Sequence, residues 1–398
     1  MKIKLGVFFG GNSVEHEVSI ITAIQAIENL NKEKYDVIPI YIAKNNKMYV
    51  GDLIGDIRNY KDIDKLIENS TQITLAQIDD KTALLKCNKK MFESNVYDYI
   101  DVAVPIVHGT NVEDGTLQGY LKMFNIPYAG CDVISSACGM DKYVFKCILK
   151  DNGIPTLDCK CFTYQDYEED VNKLISEVEK AISYPVIVKP VNLGSSVGIG
   201  IAKDQTELKN RIDEAFTYSK KVLVEKAVMN LKEINCSVLG DYEEAKASEC
   251  EEPVKTDEIL SYKDKYISGG GKKGGSKSMN AGVLKLPADI TKEQKETIQK
   301  LALKTFKVLG ASGVIRIDFI IDQDDGKIYV NEPNTIPGSL SFHLWRATGL
   351  EYSDMLDKVI DLALKRHREE ENLTFSFDTN ILSGYTTGGL KGSKLLNK

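Results

Sequence analysis

The chain has 398 residues, 42% hydrophobic and 27% charged, with 51 basic against 58 acidic side chains and a net charge of −7. That length exceeds what one hydrophobic core usually supports, so two or three domains are expected. The mildly acidic balance excludes a protein whose main partner is a nucleic-acid backbone, and no run approaches the roughly 20 apolar residues of a membrane-spanning helix.

Residues 4–9 form a short β-branched and aromatic run closed by Gly10-Gly11, the pattern of a buried parallel strand. The run is too short for a secretory signal and lacks a small-residue cleavage site, so a cytoplasmic protein is expected. Helical spacing over 17–30 and a second strand at 36–42 complete a βαβ unit, which predicts an N-terminal α/β domain with a parallel sheet. A buried strand at 99–107, a helix at 117–124 and a short strand at 125–129 follow. The helical pattern returns over 135–152 and 162–182. Strands are predicted at 184–190, 221–226, 234–239, 282–286, 314–322 and 327–332, with a helix at 292–309. This strand-rich part reads as two α+β domains behind the first. The polar, glycine-containing residues beyond 374 read as a tail. The eight cysteines include no Cys-x-x-Cys and no paired histidine, and are expected to be small buried hydrophobes in a reducing cell.

Arg316 and Asp318 stand inside an apolar strand, and Glu332 and Asn334 close the next. Charges there are costly unless paired or bound to a cation. Asp318, Glu332 and Asn334 supply only oxygens, the hard ligand set of Mg²⁺ bridging nucleotide phosphates. An ordinary ion pair between Arg316 and a carboxylate is the competing reading. The segment Asn192-Leu193-Gly194-Ser195-Ser196-Val197-Gly198 follows the strand ending at Lys189-Pro190. Its N–H groups and hydroxyls suit phosphate oxygens, as they also suit a simple hairpin. Lys142 alone is an unremarkable lysine. His108-Gly109 ends a predicted parallel strand, and Glu15 follows the first strand at a helix N-terminus, where ligands of open α/β sheets bind. Gly269-x-Gly271-x-x-Gly274 matches a dinucleotide-binding pattern but lacks the strand–turn–helix around it, and no Gly-Lys-Ser/Thr phosphate loop occurs.

Seven segments occur in a distinctive order. They are Gly-Gly-Asn-Ser-Val-Glu-His from 10, His-Gly from 108 with Glu-Asp-Gly-Thr-Leu-Gln-Gly from 113, Met-Asp-Lys from 140, Val-Lys-Pro from 188 with the glycine-serine loop, Val-Glu-Lys from 224, Arg-Ile-Asp from 316, and Glu-Pro-Asn-Thr-Ile-Pro-Gly from 332. Together, over residues 4–364, they resemble the D-alanine–D-alanine ligases of the ATP-grasp superfamily. The resemblance implies α/β and α+β domains in a three-domain ATP-grasp architecture, divided at 1–139, 140–228 and 229–370. A mobile loop is implied at 261–281 and a tail at 371–398.

By that resemblance ATP lies between two sheets, with Lys142 and Lys189 on its phosphates and Ser196 in the phosphate loop. Glu225 and Lys226 stand near the adenine, and Glu233 on the ribose. Asp318, Glu332 and Asn334 hold two Mg²⁺ ions, for which Mn²⁺ is a possible substitute. Glu15 binds the ammonium of the first D-alanine and is linked through Ser195 to Tyr266, next to Lys265 on the loop. His108 lies near the substrate carboxylate, and Arg316 with the Gly338 N–H stabilises the oxyanion. His343 and Leu344 fall where the second substrate's carboxylate is gripped. There residues 339–345 replace a Thr-Ser-His-Ser-like run, and Leu193 stands where many members carry Glu. Retention of Tyr266 argues against an ester-forming D-lactate ligase. The implied activity is ATP-dependent joining of two D-alanines for peptidoglycan, by a cytoplasmic homodimer acting on small D-amino acids. The alternatives are a different amine acceptor such as D-serine, or a nucleotide-binding regulator without turnover.

Overall fold

The computed structural model describes residues 2–88, 93–194, 197–254 and 283–376. The first sheet has seven strands in the order β6-β5-β4-β3-β2-β1-β7. β1 (Ile3–Gly10) pairs in parallel with β2 (Tyr35–Ile42) and with β7 (Val102–Val107). Helix α1 (His16–Asn29) is the crossover between β1 and β2, as a βαβ unit requires. The other four strands, β3 (Met48–Val50), β4 (Thr71–Ile78), β5 (Lys81–Lys86) and β6 (Val96–Ile100), form an antiparallel meander. The sheet is therefore mixed, parallel only about β1. The single strand expected at 99–107 is two strands broken at Asp101, whose carboxylate accepts the Lys4 N–H at 2.8 Å. An apolar run cannot show that its pairing partner changes at one residue. The short strand expected at 125–129 is reduced to one bridge between Ala103 and Tyr128.

The second sheet is antiparallel, ordered β10-β9-β11-β8, from β8 (Cys159–Thr163), β9 (Val186–Pro190), β10 (Gly200–Ala202) and β11 (Lys221–Lys226). The third is also antiparallel, ordered β14-β13-β12-β15-β16. Its members are β12 (Leu231–Gly240), β13 (Ala245–Val254), β14 (Val283–Lys285), β15 (Gly313–Asp322) and β16 (Ile328–Asn334).

Helices close each core. α1 packs on the first sheet, where α2 (Ile63–Glu68) and α3 (Thr116–Met123) also contribute. Helical pattern over 135–152 becomes two helices, α4 (Val133–Met140) and α5 (Lys142–Asp151), because Asp141 leaves helical geometry to cap α5 through the N–H groups of Tyr143 and Val144. α6 (Tyr164–Ala181) and α7 (Gln205–Phe216) cover the second sheet. α8 (Lys292–Val308) and the Phe145 and Leu149 side chains of α5 enter the core of the third. After α9 (Phe342–Ala347), α10 (Tyr352–Glu371) returns to the first core with Met355, Leu356, Val359 and Ile360. Arg366 on α10 fixes that return by donating to Tyr128 O at 2.6 Å and Gly130 O at 2.7 Å.

All eight cysteines are unpaired, and Cys87 and Cys147 are exposed rather than buried. Among the described residues no helix is long and apolar enough to cross a membrane.

Phe145 is fully buried against the third sheet although its helix precedes the second in sequence. Phe145→Ala lowers the unfolding free energy by about 3–5 kcal/mol in urea titration. A loss below about 1 kcal/mol would contradict this packing.

Candidate active site

Two sheets face each other across a cleft, one basic and one acidic. On the basic side Lys189 stands in β9 and Glu225 in β11. Glu225 is fully buried and forms ion pairs with Lys189 and with Lys146, the latter at 2.8 Å. Burial alone would raise its pKa, but the two ammonium groups outweigh this and hold the carboxyl below its ordinary range. Lys189 remains a cation for the same reason, its pKa raised by Glu225 against the effect of burial. The Glu225 carboxylate is thus committed to two lysines, and what it offers the cleft is their position. Lys226 reaches Asp322 at the end of β15, 3.8 Å away.

On the acidic side, the register of β15 with β16 sets Asp318 opposite Glu332 and Arg316 opposite Asn334. Arg316 grips Asp318 with Nε at 2.7 Å and Nη2 at 3.0 Å. Asn334 Nδ2 donates to Asp318 at 3.1 Å, leaving its Oδ1 as the amide's acceptor. The ion pair anticipated as a competing reading therefore exists within the same cluster. Burial, with the nearby charges of Glu332 and Glu233, raises the Asp318 pKa despite Arg316. A divalent cation would relieve that crowding. Among the described residues no group of three or more His, Cys, Asp or Glu side chains is arranged to hold a metal. Two carboxylates and one amide suit Mg²⁺, which completes its shell with phosphates and water. Lysines bridge the two sides. Lys142 Nζ lies 3.2 Å from Glu332 and 2.9 Å from Leu193 O, and Lys189 Nζ lies 3.4 Å from Asn331 Oδ1.

Beside the cleft is a cavity of about 290 Å³ lined by Glu15, His108, Glu113, Glu251, Arg316, Asn334, Gly338 and His343, among others. Five residues from distant parts of the sequence, Glu15, His108, Arg316, Gly338 and His343, thus line one space. Leu344 is fully buried next to His343. Ser195, Ser196, Lys265 and Tyr266 lie outside the described residues, as does the loop 261–281.

Glu15 precedes α1, where β1 ends in Gly10 and Gly11. Gly11 has φ +98, and a Cβ there would sit 2.4 Å from Val112, so glycine lets this turn touch the loop after β7. His16 locks the turn from beneath, with Nδ1 on Gly11 O at 2.6 Å and Nε2 on the Tyr41 hydroxyl at 3.1 Å. A Cβ on Gly194 would lie 2.8 Å from Glu15 Oε2, so Gly194, in the segment after β9, sits directly against this carboxylate. His108 is buried, which lowers its pKa against the opposing pull of Glu15. Its Nε2 meets Thr22 Oγ1 at 3.2 Å, and the same oxygen accepts the Ser339 N–H at 3.1 Å.

Four site residues escaped the sequence reading: Thr22, Glu113, Lys146 and Glu251. Lys146 had one usable signal, lying one helical turn beyond Lys142. Glu113 joins the loops of two sheets, accepting Gly109 N–H at 2.9 Å on one oxygen and Ile336 N–H at 2.9 Å on the other. Burial, reinforced by the charge of Glu15, pushes its pKa up to about 7.

The family model described as D-ala D-ala ligase N-terminus matches residues 4–131, and that described as D-ala D-ala ligase C-terminus matches 148–361. The chain belongs to the D-alanine–D-alanine ligase family. Members are ATP-dependent carboxylate–amine ligases, so ATP is a substrate. The chain is 40% identical over 381 residues to the D-alanine–D-alanine ligase of Thermosipho melanesiensis, covering 96% of this chain and 98% of the relative. Among solved structures, the D-alanine-D-alanine ligase from Coxiella burnetii matches with TM-score 0.76 at 31% identity, covering 93% of this chain and 96% of that one. The VanG D-Ala:D-Ser ligase from Enterococcus faecalis matches with TM-score 0.74 at 32% identity, covering 91% and 100%.

Because the folded-state pKa of Glu113 is raised, its contribution to stability is full below the ordinary 4.5 and is lost as pH rises to about 7. Relative to Glu113→Gln, the native chain loses up to about 3 kcal/mol across that window, read by denaturant unfolding at a series of pH values. A difference independent of pH would show that the carboxyl titrates normally.

Proposed function

We propose that this ligase-family chain joins two D-alanine molecules to D-alanyl-D-alanine for peptidoglycan synthesis, as a cytoplasmic homodimer dependent on ATP and Mg²⁺. The observation that carries the reading is the shared Arg316. It lines the cavity that holds Glu15, His108 and Gly338, and it also grips Asp318 in the cleft. The reacting carboxylate and the phosphoryl group to be transferred therefore belong to adjoining spaces.

The three units 1–139, 140–228 and 229–370 divide the work. Lys142, Lys189 and Ser196 hold the phosphates, while Glu225, Lys226 and Glu233 border the nucleoside. Asp318, Glu332 and Asn334 would hold two Mg²⁺ ions, whose charge neutralises the phosphoryl group in transfer. Glu15 receives the ammonium of the first D-alanine, supported by Ser195 and Tyr266, with Lys265 beside them. A carboxylate oxygen of that first D-alanine attacks the γ-phosphorus of ATP, giving D-alanyl phosphate and ADP. The amine of the second D-alanine then attacks the carbonyl carbon. Arg316 and the Gly338 N–H stabilise the oxyanion, a proton leaves the amine, and phosphate departs. His343 and Leu344 seat the second substrate. D-serine as acceptor is a second reading, favoured by the likeness to a D-Ala:D-Ser ligase together with the distinctive residues 339–345.

Phosphate release with ATP and Mg²⁺, across D-amino acids singly and in pairs with products weighed, tests the reading. D-alanine alone gives strong release and D-alanyl-D-alanine; release that requires D-serine moves the acceptor, and no release with any pair defeats ligation. Glu332→Ala lowers ATP turnover by more than about 100-fold, since even losing an outer-shell partner of a metal costs up to that much. Near-normal turnover would break the metal assignment.

A further inference from the structure

The cavity contains a carboxylate–histidine pair whose carboxylate, Glu251, has no role in the mechanism above. Glu251, on β13 opposite Asn235 of β12, is 2% exposed. One of its oxygens accepts from Asn235 Nδ2 at 3.0 Å, and the other lies 2.5 Å from His343 Nε2. Burial would raise its pKa, but His343 and Arg316 lower it below its ordinary value. An ionised carboxylate has no hydrogen to give, so Nε2 carries the hydrogen of this bond. The remaining ring nitrogen, Nδ1, has no hydrogen-bond partner among the described residues.

The backbone that delivers His343 is strained. Ser339, Leu340 and Ser341 have φ of 51, 49 and 52, three consecutive left-handed residues and none of them glycine. Each is sterically costly for a residue with a Cβ, and such a run persists only where its surroundings over-determine it. Here they do. Thr22 accepts the Ser339 N–H at 3.1 Å, Leu340 and Ser341 are buried, and Trp345 Nε1 donates to Ser237 Oγ at 2.9 Å. Phe342 and His343 are the first residues after the turn, and both line the cavity.

We propose that Glu251 is a positioning residue for acceptor choice: it holds His343 so that Nδ1 donates a hydrogen bond to the α-carboxylate of the incoming amino acid. This rests on the ligase reading. For Nδ1 to donate while Nε2 also donates, the ring carries a hydrogen on each nitrogen, and neither carboxylate is then left unpaired away from water. The acceptor class so selected is an amino acid with a free α-carboxylate, in preference to amides, esters or simple amines.

The test is a competition between D-alanine and D-alaninamide as acceptors, at saturating ATP with D-alanine as donor, weighing dipeptide against dipeptide amide. Glu251→Gln and His343→Ala each raise the acceptor KM for D-alanine roughly tenfold or more, the worth of a charge-assisted hydrogen bond. They raise the acceptor KM for D-alaninamide much less, so the product ratio shifts toward the amide. The double variant is no worse than either single one. Equal loss on both acceptors, or an unchanged acceptor KM, overturns the proposal. Should Glu251→Gln fail to fold, His343→Ala must still show the same split. No dipeptide of either kind from the native enzyme would instead defeat the ligase reading.

Discussion

A carboxylate taken out of water must be met by fixed donors, and in this chain that requirement decides where the reacting groups stand. Glu225 is fully buried, and its two ion pairs fix Lys146 from α5 and Lys189 from β9. Glu113 is nearly as buried and meets backbone N–H groups from the loops at Gly109 and Ile336. The first carboxylate sets the basic wall of the cleft. The second ties the loop carrying His108 to the one leading into Gly338. Each is costly to bury, and each converts that cost into a defined distance between groups on different sheets.

Electrostatic order follows from the same arrangement. The basic wall is partly neutralised from within by Glu225, while on the acidic wall burial, together with the charges of Glu332 and Glu233, raises the Asp318 pKa. A nucleotide phosphate suits the lysines but not the acids unless a cation comes with it. Under the proposed function the walls suit a metal–nucleotide complex better than either component alone. Arg316 then links this cleft to the neighbouring cavity, because the residue that grips Asp318 also lines the space around Gly338.

Much of this was legible in the sequence wherever chemistry and pattern disagreed locally. Arg316 and Asp318 stood out as charges in an apolar strand. β10, only three residues long, gave no signal, while β9, β11, β12, β14, β15 and β16 declared themselves as short apolar runs. β13 did not, since its stretch Ala-Lys-Ala-Ser-Glu-Cys-Glu-Glu carries no β-branched residue. Glu251 was lost with it. Glu113 looked like one more acid in a polar loop, because its meaning comes from Ile336, 223 residues away. The left-handed turn at Ser339 was invisible for a different reason: no glycine marks it, and only contacts such as that to Thr22 sustain it. Cooperative order among distant motifs, rather than any local signal, pointed to the cavity.

The central claim is that the carboxylate of one D-alanine is activated by taking the γ-phosphoryl group of ATP. The most direct measurement supplies D-alanine labelled with oxygen-18 in its carboxylate and weighs the phosphate released during dipeptide formation. An acyl phosphate breaks between carbonyl carbon and bridging oxygen, so one labelled oxygen passes into each phosphate. Unlabelled phosphate accompanying authentic dipeptide would contradict the account, because the carboxylate oxygen would then never have bonded to phosphorus.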